Sequence, residues 1–437
     1  MAGIYAVLFL LGLETTLGGS VLPQAAAQLE GLEHIGWLST IQMLAAACAT
    51  PVTARLGDIW RRKWLVFISI ILLCTAGCLA AAASSMGVLL ASRVVNGVAL
   101  GMMAGSAFAV PVDVFPDPAQ RIRWQSISGV MFAISSSLGP VLGAVLSEFF
   151  GWRMALLVLP GACLPVLLAL ATMPDLQARS LTRQRFDVYG ALLMSLFIVG
   201  SLLGLQSLGH SHAAWLYWLV GALALLLLWR QQQGVQQPIL ALEVLHNTQV
   251  RVISLTTVLS GAILAVLMFY SPLLLTTLND MSFREAGLVM MPMLIGMPLG
   301  SLLNSFLFPK LAQPKRLFCL GSALLIGGTL WLVMLPQGLS SGAIMVGYGL
   351  SGVGLGFINQ NQTLFVQMVT PRQFVGAATG LVSTARSYGS ALGSAVVGLA
   401  ILSMGLQDGL VIALLLTVVC ALLVFPISLR IQLNDPA

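Results

Sequence analysis

Three charged residues stand inside long apolar runs of this chain: Glu14, Arg93 and Arg386. A charge placed in hydrocarbon is expensive, so such residues turn toward a bundle interior and mark proton relays or ligand pathways. Low dielectric disfavours the charged form of a carboxylate, which suits Glu14 to taking up and releasing a proton. A neighbouring arginine opposes that tendency, so a separation that varied with conformation would couple protonation to movement. The plainer alternative makes Glu14 a packing residue hydrogen-bonded to neighbours such as Thr15. For Arg93 and Arg386 a structural role stands equally open.

Other polar residues inside apolar runs are candidates to line a cavity: Gln42, Gln125, Tyr270, Asn304, Asn359 and Asn361, with Arg386 among them. The run Asn359–Gln362 covers every face of one helical turn, so about two of its four side chains can share a cavity. Enzyme and pump signals are missing. None of Lys63, Lys310 and Lys315 precedes Ser or Thr, which excludes a GxxxxGK[ST] phosphate loop, and no HExxH occurs. Gly352, Gly354 and Gly356 imitate part of a dinucleotide turn but lie in an apolar run, where close helix packing explains them. His210 and His212 read as a solvated loop rather than a metal site. No metal and no cofactor are expected, and uphill work would draw on the proton gradient.

The elements that must position these residues follow from composition. The chain has 437 residues, of which 20 are basic and 14 acidic; 8% are charged and 58% hydrophobic. Soluble domains carry roughly a quarter charged residues. Together with a mean hydropathy of +0.97, this excludes a soluble enzyme, a disordered chain and a nucleic-acid-binding protein. Apolar runs of about 20 residues recur about fourteen times, from 3–24 to 409–429. They are too long and too uniform for barrel strands, so the chain is expected to be an all-α polytopic membrane protein. Gly3–Pro23 lacks a basic leader and is read as a retained first span. The six cysteines lie in apolar runs and read as small core residues rather than disulfides.

Placing the N-terminus inside and alternating puts every Lys and Arg on the inner side except Arg153, Arg284 and the in-span Arg93 and Arg386. Both termini are therefore expected in the cytoplasm. This asymmetry also accounts for the pI near 9.2 without an anionic partner. A weak repeat pairs Gly36 with Gly287, and Gly139–Gly143 with Gly389–Gly393, at offsets of 251 and 250 residues. It suggests an N-terminal six-helix half over 1–172, an inserted helix pair with linkers over 173–248, and a C-terminal six-helix half over 249–437. Parallel repeats of this kind occur in carriers that rock one half against the other.

Ala54-Arg55-Leu56-Gly57-Asp58-Ile59-Trp60-Arg61-Arg62-Lys63 resembles the G-x-L-a-D-r-x-G-R-[RK] signature of the major facilitator superfamily, departing from it at Ala54, Ile59 and Arg61. Arg93-Val94-Val95-Asn96-Gly97 resembles the family's R-x-x-q-G motif. Gly139-Pro140-Val141-Leu142-Gly143-Ala144 resembles its antiporter motif G-P-x-x-G-G, with Ala144 for the last Gly. Trp152-Arg153, Phe186-Asp187, Ala286-Gly287…Pro292 and Gly380…Arg386…Gly389…Gly393 extend the likeness over most of the chain, in the pattern of fourteen-span drug:proton antiporters.

The resemblance implies a major facilitator fold, two six-helix halves plus two inserted helices. It implies a cytoplasmic gate of Arg55, Asp58, Arg62 and Asp113, with Asp58 against the start of the span near Arg372–Gly376. Gly139, Pro140 and Gly143 would bend and pack the fifth span. Proton coupling would fall to Glu14, modulated by Arg93. The expected activity is proton-coupled efflux of small amphipathic or cationic compounds by alternating access; the alternative is a proton-coupled exporter of one endogenous metabolite. The expected partners are a small-molecule substrate, protons and the lipid bilayer, with a periplasmic adaptor admitted. The chain is expected to be a monomer in the cell inner membrane.

Overall fold

The computed structural model describes residues 2–31, 35–115, 118–171, 186–207, 214–235, 242–311, 313–335, 340–371 and 374–431. Among these residues every regular element is a helix. In chain order they are α1 (Ala2–Gln28), α2 (Ile35–Ile59), α3 (Arg62–Ala81), α4 (Met86–Ala107), α5 (Val110–Val114), α6 (Pro118–Ala171), α7 (Val188–Gln206) and α8 (Ala214–Gly234). Then follow α9 (Leu242–His246), α10 (Thr248–Ala265), α11 (Ser271–Leu278), α12 (Phe283–Leu307), α13 (Lys315–Val333), α14 (Ser341–Val369), α15 (Val375–Met404) and α16 (Leu406–Leu429). A π-helical turn over Val266–Tyr270 joins α10 to α11.

Local chemistry places several of the starts. Ser85 and Ser340 accept from Val88 N and Ala343 N, Asn247 accepts from Gln249 N at 2.8 Å, and Ser282 with Glu285 forms a reciprocal capping box. Asp187 Oδ1 accepts from Gly190 N at 2.8 Å at the head of α7. Within α6 the non-helical dihedrals fall at Gly151 (φ 80°, ψ 160°). A side chain rarely adopts that conformation, so Gly151 divides α6 into two helices, while Gly139 and Pro140 stay in helical backbone. Just past the break, the buried Trp152 donates Nε1 to Gln28 Oε1 at 2.7 Å, tying the second half of α6 to the end of α1.

Eleven segments among the described residues are long and apolar enough to cross a membrane. Large apolar side chains lie on the outside, with Phe149 73%, Leu168 72% and Trp215 65% exposed. Such a surface is costly in water and costless in lipid, and helices satisfy their own backbone groups there. The protein is therefore an integral membrane protein built of helices. Cys163 and Cys420 are buried as expected of core residues, whereas Cys78 is exposed on α3, where lipid is the natural contact.

The chain divides into two compact units, Met1–Ala191 with Val375–Thr384, and Leu192–Phe374 with Ala385–Ala437. In the first, α1 packs on α4 and α6, α2 on α4, and α3 on α4 and α6. In the second, α10 packs on α14 and α16, α12 on α14, and α13 on α14 and α16. Four pairings recur: α1–α4 as α10–α14, α2–α4 as α12–α14, α3–α4 as α13–α14, and α3–α6 as α13–α16. Small residues line matching seams. Gly97 and Gly101 abut the Gln42 and Ala46 carbonyls, and Gly352 and Gly356 abut those of Met293 and Met297. Gly354 faces the opposite way, onto Gly321 and Leu325, so the Gly352–Gly356 run is a two-sided packing device.

Candidate functional site

Glu14 lies on α1 at 2% exposure, facing Arg93 and Asn96 of α4, each at 1%. Arg93 and Asn96 are three residues apart and so share a helix face. Asn96 Nδ2 donates to Glu14 Oε1 at 2.6 Å. Arg93 Nη1 donates to the same oxygen at 3.5 Å, a single contact rather than a bidentate fork. Glu14 Oε2, Arg93 Nε and Asn96 Oδ1 are buried without a hydrogen-bond partner. One carboxylate oxygen thus takes both donors, and the other takes none.

Thr15 and Thr16 do not serve Glu14. Thr15 Oγ1 donates to the Gly12 carbonyl at 2.7 Å, and Thr16 Oγ1 donates across to the Ser136 carbonyl of α6 at 2.8 Å. Glu14 is bonded to the α4 donors rather than to Thr15. Asn96 appears in the sequence only as part of a motif; its spacing of three from Arg93 was the available signal.

The antiporter-motif glycines hold α1 in place. A Cβ on Gly139 would stand 2.8 Å from the Leu13 carbonyl and 3.0 Å from Leu17 N. One on Gly143 would stand 3.0 Å from the Leu17 carbonyl. Both are nearer than side chains tolerate, so α1 and α6 meet backbone to backbone on either side of Glu14. Pro140, between them, is half-buried.

At the start of α3, Arg62 is 2% exposed and its guanidinium lies over Gly57 of α2, where a Cβ would come within 2.8 Å of Nη1. Arg55 is half-buried. The Asp58, Asp113 and Gln125 side chains lie outside the described residues, as do Arg372, His210 and His212. Ala54, which departs from the signature, touches Gly380 of α15. The room that the signature's glycine would leave on α2 is left here on α15.

The remaining polar candidates have separate neighbours. Gln42 is half-buried, with its carbonyl against Gly97. Tyr270 closes the π-helical turn and donates to the Ser394 carbonyl at 3.0 Å. Arg386 Nη2 donates to the Asn359 carbonyl at 3.3 Å and to Gln362 Oε1 at 3.5 Å. Gln362 and Ser260 exchange hydrogen bonds at 3.1 and 3.3 Å. Asn304 and Asn361 are fully buried, with neither amide atom hydrogen-bonded. Of the Asn359–Gln362 run, residues 359 and 362 meet Arg386 and the other two do not.

The arrangement offers a buried carboxylate with one unpartnered oxygen in the first unit and a half-buried guanidinium in the second. Comparison with known proteins agrees with a carrier. The profile of the Major Facilitator Superfamily matches residues 4–394. The multidrug transporter protein MdtP of Bacillus subtilis (strain 168) is 25% identical over 413 residues, covering 91% of this chain and 74% of its own. Multidrug resistance protein 3 of the same organism is 23% identical over 405 residues, covering 91% and 78%. The crystal structure of the human organic anion transporter MFSD10 (TETRAN) superposes with a TM-score of 0.69 at 14% identity, over 97% of this chain and 98% of its own.

Proposed function

The chain belongs to the Major Facilitator Superfamily, a membrane transporter and not an enzyme, and from that premise we propose that it exports small amphipathic compounds, cationic ones among them, in exchange for protons. The observation that carries the proposal is the buried Glu14 with its two α4 donors. With Glu14 charged, Arg93 and Asn96 hold α1 to α4. A proton arriving on Oε2 cancels the charge, weakens the attraction to Arg93 and frees the two helices to re-pack. Release of that proton inward restores the pair and readies the next cycle. The multidrug names of the two Bacillus relatives support a broad substrate range.

The same proposal includes fourteen spans. The eleven apolar segments, with Ile127–Ala171 divided at Gly151 and with α2 and α15 added, support that number. An even number puts both termini on one side, the inner-side Lys and Arg make that side the cytoplasm, and the carrier is a monomer of the inner membrane. The gate around Arg55, Asp58, Arg62 and Asp113 would close its cytoplasmic side.

The test is transport in proteoliposomes under an imposed pH gradient, with membrane potential collapsed separately. Wild-type protein is expected to drive efflux of a cationic dye, and Glu14→Gln to abolish it. Gradient-driven efflux that survives in Glu14→Gln defeats the proposal.

A further inference from the structure

The two units treat their buried charge differently. In the first, Arg93 faces Glu14 and the charges offset. In the second, no carboxylate among the described residues of that unit pairs with Arg386: its hydrogen bonds go to the neutral Asn359 carbonyl and Gln362 Oε1, at 3.3 and 3.5 Å. Its Nε is buried without a partner. The acidic residues of that unit whose side chains are described, Asp280, Glu285 and Asp408, are all exposed near helix ends.

Both the backbone that carries Arg386 and the amide that receives it are fixed. Gly261 of α10 meets the Arg386 carbonyl so closely that a Cβ there would collide with it, and Gly389 meets Val258 in the same way. The α15 backbone is thus pressed onto α10. Gln362, which receives Nη2, is itself fixed by the exchange with Ser260. A cation held inside a membrane span without a counter-charge is costly and marks a ligand pathway. The guanidinium, with Nε–H still unpartnered, keeps a charged donor that a carboxylate can accept.

We propose that Arg386 recognises the anionic group of a bound amphipathic carboxylate, so that the compounds handled by this protein include carboxylates and zwitterions. That the ligand is cargo rests on the exporter reading; that it binds does not.

Rhodamine B, a zwitterion with a free carboxylate, and its ethyl ester, a cation, form a matched pair of probes. Binding of each to the purified full-length protein in detergent is followed by fluorescence anisotropy. Wild-type protein is expected to bind rhodamine B at least about tenfold more tightly than the ester, the worth of one hydrogen-bonded charge. Arg386→Gln should bring the ratio to about one. Arg386→Lys, which keeps the charge but loses the Nε–H donor, should lower it at least about threefold. No preference in wild-type protein, or an unchanged ratio in either variant, overturns the proposal. Gradient-driven transport of the two dyes, measured separately in proteoliposomes, tests the exporter reading. An Arg386-dependent binding preference without such transport would overturn that reading and leave this one standing.

Discussion

Asn96 Nδ2 approaches Glu14 Oε1 to 2.6 Å, whereas Arg93 Nη1 reaches the same oxygen only at 3.5 Å. The short bond to the buried carboxylate is therefore made by a neutral amide, and the guanidinium contributes chiefly through its charge. Coulombic attraction falls slowly with distance in low dielectric, but a hydrogen bond requires contact. Asn96 consequently sets where the carboxylate sits, and Arg93 sets how strongly its charge is held. Replacing Asn96 by Leu is expected to slow gradient-driven efflux by roughly tenfold or more, since hydrogen bonds to charged groups are worth about 1.5–3 kcal/mol. Initial rates in proteoliposomes check this; a wild-type rate would reduce Asn96 to a packing residue.

Arg93 and Glu14 should behave as a unit in stability as well as in transport. Removing one member of a buried ion pair strands the other and costs about 3–5 kcal/mol, while removing both for apolar residues is often neutral. Arg93→Leu is expected to lower the unfolding midpoint in detergent. The double variant Glu14→Leu/Arg93→Leu should recover most of that loss yet remain inactive in gradient-driven efflux. Equal destabilisation by the single and double variants would show that the pair is not coupled.

Two glycines of α6 separate a packing effect from a helix-propensity effect. A Cβ at Gly139 would press on Leu13 and Leu17 of α1, whereas one at Gly161 would meet nothing within 4 Å. Alanine is the better helix former by about 0.5–1 kcal/mol. Gly161→Ala should thus be neutral or stabilising, and Gly139→Ala should destabilise by about 1–3 kcal/mol, as overpacked cores do. Thermal unfolding of the two variants in the same detergent decides between them. Similar midpoints would mean that α1 and α6 can separate without loss.

Ala54 and Gly380 invite a swap. A methyl group on Gly380 would collide with the Ala54 side chain, so Gly380→Ala alone should impair efflux and lower stability by about 1–3 kcal/mol. Adding Ala54→Gly restores the space, and the double variant should approach wild-type behaviour. A double variant no better than Gly380→Ala would refute direct steric exchange between the two positions.

The helical, membrane-spanning nature of the chain was legible in the sequence because it depends on run length alone: about 20 apolar residues cross the hydrocarbon, and only a helix satisfies the backbone there. The buried charges were legible for a related reason. When so few residues are charged, Glu14, Arg93 and Arg386 stand out without any knowledge of their neighbours. The weak repeat at offsets near 250 pointed to the matching seams of Gly139 on Leu13 and Gly389 on Val258.

Partnerships were not legible, because a helix conceals its rotation and depth until another helix packs on it. Thr15 is Glu14's neighbour in the chain, yet Asn96, far away in sequence, is its neighbour in space. Nothing in the Asn359–Gln362 run foretold which of its side chains would find a partner until Gln362 met Ser260 of α10 and Arg386 of α15. Ala54 looked like a defect in a signature until Gly380 came against it. The sequence by itself determined what this chain dissolves in, which shape its segments take and which side chains are costly to bury. Only the tertiary structure decided which of those costs are offset by a partner, as at Glu14 and Arg93, and which is left open, as at Arg386.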